Sequence, residues 1–180
     1  MPIVYSTARG EVLIRPAAPA DALAYRELRL EALKNHPTGF GASYEESLKH
    51  PLDHWEQRMR MDSEKEVLFL AEHRHELIGM TGLYRNPSPE YKHTGTVWGV
   101  YVRQAWRGLH VAEALIRACL DWARAKGMVI AKLGVTADNL PAIRCYERCG
   151  FKTYGIEPRA RYHQGRYLDG CLMACPLEGT

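Results

Sequence analysis

The feature that most constrains the fold is a strand pattern that passes, through a turn of four residues, into the longest helix pattern of the chain. Residues 96–102 are rich in β-branched and aromatic side chains, which favour extended structure. Residues 107–126 place apolar side chains on one face at helical spacing and stop before Gly127, a common helix terminator. A helix joined so closely to a strand has to pack on the same sheet, so the sequence predicts a mixture of α and β elements.

Strand and helix patterns also follow one another through the rest of the chain, without a repeat, linker or low-complexity tract. A length of 180 residues suits a single hydrophobic core, and a hydrophobic content of 46% is enough to form one. We therefore predict one α/β (α+β) domain that spans residues 1–180. The predicted strands cover residues 12–15, 67–72, 77–84, 96–102, 129–136, 151–154 and 168–175, and the predicted helices cover residues 21–36, 51–59, 107–126 and 140–149.

Charge and composition argue against several classes of partner. The 24 basic and 21 acidic residues give a formal charge of +3 and are spread along the chain, so we expect no nucleic-acid partner. Residues 1–10 lack the apolar core of a signal peptide, and no apolar run is long enough for a bilayer, so we expect no membrane partner. These observations predict a cytoplasmic protein.

Cysteine and histidine residues do not form a convincing metal site in the sequence. The five cysteines are odd in number and lie among apolar residues, as expected of reduced, buried thiols. Two pairs have the spacing CxxxC instead of the usual CxxC, and His73 and His75 lie at a predicted hairpin turn without a third ligand nearby. We therefore expect no metal.

Two glycines next to the central turn point to a site for a phosphate-bearing ligand. Gly108 lies near the predicted helix start, where unpaired N–H groups and a partial positive charge favour a pyrophosphate. Gly99 lies inside the preceding strand, where glycine often marks a bulge or a close approach of another backbone. Taken alone, the glycine turn also fits an ordinary strand-to-helix connection of any α/β protein.

At this point the sequence resembles the GNAT superfamily of N-acetyltransferases. Arg107, Gly108 and Ala112 fit the pyrophosphate-binding signature Q/RxxGxG/A of that family, although His110 replaces its first glycine. Residues 136–151, TADNLPAIRCYERCGF, resemble a second motif of the family in the expected order and at a similar separation. With the flanking elements, the resemblance covers most of the chain.

The resemblance implies a central mixed, mostly antiparallel, twisted sheet with splayed central strands, flanked by helices. It implies acetyl-CoA as co-substrate, with the pyrophosphate on main-chain N–H groups at the helix start and the pantetheine arm paired with the bulged strand. An N–H group of His110 can still bind phosphate, provided that its side chain points away or itself contacts the phosphate. The implied cofactor-binding residues are Val100, Tyr101, Val102, Arg107, Gly108, Leu109, His110, Val111, Ala112, Glu113 and Asn139, of which Asn139 also caps a helix.

Transfer to an amine needs one group that takes the proton of the amine and another that protonates the departing thiolate. The resemblance assigns the second role to Tyr146, for which packing against Ile143 is the alternative. Some members of the family have a Glu near the start of the bulged strand, where the titratable residue of this chain is His93; a solvated loop histidine is the alternative. The rival bases are Glu45, Glu46, a water chain and Asp169, which is also a candidate for holding a substrate ammonium or capping a turn.

The activity that we predict is direct acetylation of the primary amine of a small molecule or amino acid. Two alternatives stay open: acetylation of a protein N-terminus or lysine, and a module of another class that binds CoA without turnover. The acceptor is expected to be chosen by loops over residues 36–50, 86–95 and 155–167. Dimers are common in the family, so a homodimer is one expected assembly.

Overall fold

The computed structural model describes residues 2–177, which form one eight-stranded sheet with helices on both faces. Each predicted strand is present, and an additional strand precedes the first predicted one. The strands are β1 Ile3–Thr7, β2 Gly10–Pro16, β3 Glu66–His73, β4 Glu76–Arg85, β5 Thr94–Val102, β6 Ile130–Thr136, β7 Lys152–His163 and β8 Arg166–Pro176.

Five α-helices accompany the sheet, and the short second one lies within residues 36–50, which were predicted as a loop. Within residues 2–177, no helix is both long enough and apolar enough to span a bilayer. The helices are α1 Ala22–Asn35, α2 Tyr44–Leu48, α3 Leu52–Met59, α4 Val111–Ala125 and α5 Leu140–Arg148, and short 3-10 turns cover Pro19–Asp21, Pro89–Tyr91 and Gln104–Trp106.

The sheet has the strand order β1-β2-β3-β4-β5-β6-β8-β7, and every neighbouring pair is antiparallel except β5 and β6. The parallel pair is in register only through residues 94–96 and 130–132. Strand β6 goes on pairing with β8 as far as Thr136, so β5 and β6 separate beyond Thr96. The predicted mixed, mostly antiparallel sheet with splayed central strands is confirmed.

Apolar side chains fill both faces of the sheet. On one face, α4 buries Leu115 and Ile116 fully against β3, β4 and β5. On the other face, α1 buries Tyr25, Leu28 and Leu33 in a second cluster that includes side chains of α3. Each large aliphatic side chain buried in this way stabilises the fold by about 1.5–3 kcal/mol. Helices therefore pack on both faces of the sheet and stabilise the positions of its central strands, including β5 and β6 where they separate.

Tight turns close the β3–β4 hairpin and the β7–β8 hairpin. Arg74 and His75 have φ values of 48° and 68°, as in the type I′ turn that matches the twist of a hairpin. Gln164 and Gly165 form a similar turn, with φ values of 46° and 82°. Residues 155–167, predicted as a loop, are instead most of the β7–β8 hairpin, because the ladder between these strands continues to the residues flanking this turn.

The predicted start of the long helix at Arg107 is wrong, because α4 begins at Val111. Gly108 and His110 have φ values of 76° and 58°, a left-handed conformation that cannot continue a right-handed α-helix. The apolar spacing of the sequence gives no indication of this left-handed backbone at Gly108 and His110. The segment between β5 and α4 is therefore a longer, more open turn than the sequence pattern predicted.

Candidate active site

A cleft of about 400 Å³ opens where β5 separates from β6. Its walls are formed by the end of β5, the turn before α4 and the first residues of that helix, the far part of β6, helix α5 and the segment that follows α1. These elements meet here because the diverging strands leave a gap in the middle of the sheet. The cleft is therefore a consequence of the strand pairing and not of surface loops alone.

Strand β5 carries a bulge beside the cleft. Gly82 of β4 faces Trp98 and Met80 faces Tyr101, so β5 has one more residue than β4 between these pairs. Gly99 lies in the bulge with a φ of 68°, in the left-handed region that glycine adopts without strain. The bulge predicted from Gly99 is confirmed. It turns the following residues, Val100 to Val102, so that they line the cleft.

Residues 97–102 of β5 have no strand partner on the side of β6. On the other side, the pairing with β4 resumes at Tyr101 and Val102. Apart from the Val102 oxygen, which accepts a hydrogen bond from Arg107, the main-chain groups of β5 that point toward the gap have no strand partner within residues 2–177 and can pair with an extended ligand.

The start of α4 presents main-chain N–H groups to the same cleft. Within residues 2–177, none of the N–H groups of residues 108–112 donates to a protein backbone acceptor, as expected at a helix N-terminus. No heavy atom lies within 4 Å of the position that a Cβ on Gly108 would take, so the turn is open. Free donors and the positive end of the helix dipole make this turn suited to a pyrophosphate.

The side chain of His110 points to a neighbouring carboxylate, and Glu113 accepts a hydrogen bond from its Nδ1 at 3.0 Å. This contact holds the imidazole beside the helix. The main-chain N–H of His110 donates to no backbone acceptor within residues 2–177. His110 occupies a left-handed position that a glycine would adopt at no steric cost. The replacement of the signature glycine is therefore compatible with an open turn, at the cost of some backbone strain.

Glu113 is a buried carboxylate in the first turn of α4. Its Oε1 accepts hydrogen bonds from Arg148 at 2.7 Å and 2.9 Å as well as the bond from His110. Burial by itself raises the pKa of Glu113, but the bonds from Arg148, its own backbone N–H and His110 outweigh burial and lower the pKa below its usual value. The carboxylate is thus ionised at neutral pH and ties α4 to α5.

Arg107 turns its side chain toward the segment after α1. Its Nε donates to the main-chain oxygen of Val102 at 3.0 Å, and its Nη2 lies 2.6 Å from Nε2 of His36. Burial and the Arg107 charge lower the pKa of His36 below its ordinary value, so the imidazole is neutral at pH 7. Since Arg107 can only donate, Nε2 of His36 accepts this bond and its lone pair is engaged.

Tyr146 and Asn139 both lie on the α5 side of the cleft. The ring of Tyr146 is buried and packs edge-on against Phe151, with ring centroids 6.0 Å apart. Burial raises the pKa of Tyr146, so its phenol stays protonated at neutral pH. Asn139 caps α5 by accepting a hydrogen bond from the N–H of Ala142 at 3.3 Å, which confirms the predicted cap.

The structure brings most of the predicted site residues together. Leu109 is an exception, because its side chain packs against the α4 core and does not line the cleft. Those that do line it are Val100, Tyr101, Val102, Arg107, Gly108, His110, Val111, Ala112, Glu113, Asn139 and Tyr146.

The interpretation of His93 as a catalytic base is not supported, because the structure places this residue at the far end of β5. His93 is exposed, and its main-chain oxygen accepts hydrogen bonds from Val129 and Ile130. It precedes Val100 by seven residues, a distance of about 23 Å along an extended strand. The 86–95 loop, predicted to help choose the acceptor, lies at this same end and contributes nothing to the cleft.

The other predicted bases also lie outside the cleft. Glu45 and Glu46 occupy the exposed first turn of α2, where Glu45 accepts a hydrogen bond from the Ser43 hydroxyl. Asp169 accepts a hydrogen bond from the N–H of Arg159 at 2.8 Å and thus closes a bulge in the last hairpin. Of the alternatives for Asp169, the turn contact is the one that the structure shows.

The segment after α1 forms a wall of the cleft, as the loop prediction for residues 36–50 suggested, but the contacts that hold it were not predicted. Residues 38–40 line the cleft, and Arg161 of β7 donates to the main-chain oxygens of Thr38 and Phe40 at 2.5 Å and 2.8 Å. The hydroxyl of Thr136 also donates to the oxygen of Thr38, at 2.9 Å. Pro37 and Gly39 signalled a helix end, but no sequence signal indicated that two distant strands hold this segment.

No group of three or more His, Cys, Asp or Glu side chains within residues 2–177 is arranged to hold a metal ion. His73 and His75, the pair considered in the sequence, lie beside the β3–β4 turn, where the ring of His73 packs against Trp106. The polar side chains that line the cleft include those of His36, Glu113 and Tyr146.

Comparison with known sequences agrees with this geometry. The model of the acetyltransferase (GNAT) family matches residues 25–151. An L-amino acid N-acetyltransferase of Escherichia coli is 27% identical over 171 residues, which are 92% of this chain and 98% of that protein. An L-methionine sulfoximine/L-methionine sulfone acetyltransferase of Pseudomonas aeruginosa is 33% identical over 87 residues, 48% of this chain and 51% of that protein.

Solved structures share the fold along almost the whole chain. An acetyltransferase of the GNAT family from Streptococcus pneumoniae has a TM-score of 0.82 at 20% identity, covering 92% of this chain and 99% of that one. An acetyltransferase from Salmonella typhimurium, solved with acetyl-CoA, has a TM-score of 0.77 at 21% identity, covering 94% and 95%. The family model matches more than half of the chain, and this protein belongs to the GNAT family of acetyltransferases.

Proposed function

We propose that this protein is an acetyl-CoA-dependent N-acetyltransferase whose acceptor is the primary amine of a small molecule, with free amino acids as the first class to examine. The observation that carries the proposal is one continuous cleft that joins the free N–H groups of residues 108–112, the unpaired edge of β5 and the buried phenol of Tyr146. A nucleotide thioester can use all three features, with its pyrophosphate on the N–H groups and its extended arm along β5.

The residues of the cleft fit acetyl-CoA, which supplies the acetyl group as a thioester. The turn at residues 108–112 would hold the pyrophosphate through main-chain donors. The free edge of Val100 to Val102 would pair with the pantetheine amides, and Asn139 would add a side-chain contact from α5. The bulge at Gly99 directs main-chain groups of β5 into the cleft, where an N–H can polarise a carbonyl oxygen.

Tyr146 would donate the proton that the departing sulfur needs. Its phenol is protonated over the neutral range, and it lies on the cleft wall that faces the end of β5. A thiolate released in this partly enclosed place lacks full hydration and is therefore a stronger base than a thiolate in water, so it can take the proton of a phenol. Tyr146 is thus proposed as the general acid.

Water is the proposed acceptor of the amine proton. A free alkyl amine has a pKa of about 10, so it must lose a proton before it attacks. Among the described residues, the carboxylate that lines the cleft is Glu113, and it is engaged by Arg148 and His110. His36 also lines the cleft, but Arg107 occupies its lone pair. A chain of water molecules through the open mouth of the cleft can carry the amine proton to solvent without either of these side chains.

The acceptor class rests on the relatives and on the size of the site. The Escherichia coli relative, named as an L-amino acid N-acetyltransferase, aligns with this chain over 98% of its own length. Hydrogen bonds from Arg161 and Thr136 hold residues 38–40 in place. This segment narrows the acceptor side of the cleft, which is the part where the amine substrate would bind. A small amine fits such a site better than a folded protein surface does.

The experiment that tests the proposal has two parts. Calorimetry should detect binding of acetyl-CoA, and a thiol-release assay should detect CoA when amino acids, polyamines, aminoglycosides and peptides are offered in turn. We expect turnover with members of the amino-acid set. Binding without turnover across all four sets would indicate the CoA-binding module, and the absence of binding at millimolar ligand would refute the proposal.

Two further expectations belong with the function. All five cysteines are present as free thiols, which supports the proposed cytoplasmic location, since the cytoplasm keeps thiols reduced. The homodimer suggested by the family resemblance stays a prediction, and sedimentation velocity at several protein concentrations would test it.

A further inference from the structure

The guanidinium of Arg29 is partly buried and, within residues 2–177, lacks a counter-ion. Its Nη1 is inaccessible to solvent and has no hydrogen-bond partner, and within residues 2–177 Arg29 forms no ion pair with an acidic side chain. Burial, the largest cause, and the nearby Arg58 charge lower the pKa of Arg29, which is the expected response of a desolvated cation without an anion. An unpaired buried cation is costly, so proteins seldom keep one without a use.

Arg29 does not itself line the cleft, but it contacts residues at the cleft wall. Its Cζ is 4.7 Å from the centroid of the Phe40 ring, and Phe40 lines the cleft. Its Nη1 is 3.5 Å from the point where a Cβ on Gly99 would lie, which places the guanidinium against the β5 bulge. Val100, the next residue of β5, also lines the cleft. The guanidinium therefore stands next to the place where the acetyl group would be transferred.

Further unpaired donors surround Arg29. The hydroxyl of Tyr25, one turn earlier on the same face of α1, is buried without a hydrogen-bond partner. The Nε1 of Trp55 on α3, whose ring packs edge-on against Tyr25 at 5.9 Å, is also buried without a partner. Arg58, one turn after Trp55, stacks on Trp98 of β5 and forms no ion pair in the described part of the chain. The surroundings of Arg29 thus contain several donors without a partner in the described residues, while Arg58 and Trp98 line a separate pocket that also contains Glu66.

We infer that Arg29 binds a carboxylate of the acceptor, so that the preferred substrates are amines that carry a carboxylate next to the amino group. This inference rests on the proposed N-acetyltransferase function. In an α-amino acid, a single carbon separates the amine from the carboxylate, so a carboxylate held by Arg29 places the amine beside the bulge of β5. The planar guanidinium fork suits a carboxylate.

The alternative role of Arg29 is packing, since its guanidinium lies over the Phe40 ring. Packing and carboxylate binding predict different outcomes. If Arg29 only supports Phe40, its removal impairs every acceptor to a similar degree. If it binds a carboxylate, its removal impairs acceptors that have one and spares those that do not. The ratio of the two rates therefore decides between the roles.

The test compares L-amino acids with their carboxamides as acceptors, for example L-leucine with L-leucinamide, in the thiol-release assay. For the wild-type protein we expect kcat/KM to be about 10- to 100-fold higher for the acid than for the amide, the factor that a charge-assisted hydrogen bond provides. Arg29→Gln should remove most of that preference by slowing the acid, while the amide stays within about threefold of its wild-type value.

Arg26→Gln is the matched control, because Arg26 lies one turn earlier on α1 and forms no ion pair in the described residues. It should leave both acceptors unchanged. Arg29→Lys keeps the charge but loses the fork, so it should retain part of the preference for the acid and serves if Arg29→Gln fails to fold. The wild-type comparison needs no variant at all.

The outcomes separate this inference from the proposed function. Turnover of acids and amides at equal rates by the wild-type protein, or equal losses for both in Arg29→Gln, would overturn carboxylate binding and leave the acetyltransferase in place. Failure to bind acetyl-CoA would instead refute the function on which it rests.

Discussion

Replacing Tyr146 with Phe tests the proposed chemistry most directly. The substitution removes one oxygen from the wall of the cleft and keeps the ring that packs against Phe151. The loss of a single hydroxyl changes the free energy of unfolding by about 1 kcal/mol or less, which for a chain of this size moves Tm by about 4 °C at most. The fold should therefore remain intact.

The effect on turnover should be far larger. A general acid contributes a factor of about 10² to 10⁴, so kcat should fall by that factor, which corresponds to about 3–5 kcal/mol of transition-state stabilisation. The KM for acetyl-CoA should change by less than about threefold, because the proton is given up only as the sulfur departs. Thiol release at saturating acetyl-CoA and acceptor measures kcat, and thermal unfolding of the same sample measures Tm.

Tyr154→Phe is the control, since Tyr154 lies on β7 with 58% of its surface exposed. It should match the wild-type protein in both assays. Because burial raises the pKa of Tyr146, the wild-type protein should also show no loss of kcat from this group between pH 7 and pH 9. A folded Tyr146→Phe protein whose kcat stays within about threefold of wild type would refute the assignment.

Three other substitutions probe the scaffold of the site. Gly82→Ala should destabilise the protein by about 1–3 kcal/mol in urea unfolding, because the added methyl group would overlap the Trp98 indole. Gly155→Ala is the control and should be neutral, since the nearest side-chain atom to its added methyl group lies at an ordinary 3.9 Å. Arg161→Met removes the hydrogen bonds that hold residues 38–40, so it should raise the KM for the acceptor amine about tenfold. Acetyl-CoA binding, measured by calorimetry, should stay unchanged. Equal effects on the acceptor and on acetyl-CoA would contradict this role of Arg161. The lowered pKa of Glu113 means that its ionised form stabilises the fold above pH 4.5 and that this contribution is lost as the pH falls through the lower folded-state pKa. Glu113→Gln should therefore destabilise the protein at pH 7 and progressively less below pH 4.5 in urea titrations, and a constant difference would count against the ion pair.

Local patterns predicted the elements that depend on near neighbours. Gly99 indicated the bulge, Asn139 indicated the helix cap, and Gly108 indicated an open turn, because each of these is decided by backbone angles and hydrogen bonds within a few residues. The start of α4 was misplaced by four residues, since the apolar periodicity runs through the turn without a break. Hydrophobic spacing reports which face is buried and says little about where the helical backbone begins.

Sequence proximity to β5 does not indicate which end of the strand faces the cleft, so it could not predict that His93 lies outside the cleft. His93 and Val100 belong to one short segment, yet an extended strand separates them by about 23 Å. The β5–β6 pairing at residues 94–96 places His93 at the closed end of the sheet and Val100 at the open end. That pairing joins segments far apart in the chain, and no local pattern encodes its register.

By itself, the sequence determined the order of most strands and helices, although not β1 or α2, together with the family and the turn that can hold a pyrophosphate. These features depend on short-range backbone preferences and on motifs. The tertiary structure alone decided how the acceptor side is built: Arg161 reaches Thr38 and Phe40 across more than 120 positions, and Arg29 comes to lie against Gly99. The separation of β5 from β6 and the packing of α1 on the sheet both depend on the burial of many side chains from distant parts of the chain. No single segment of the sequence therefore encodes them.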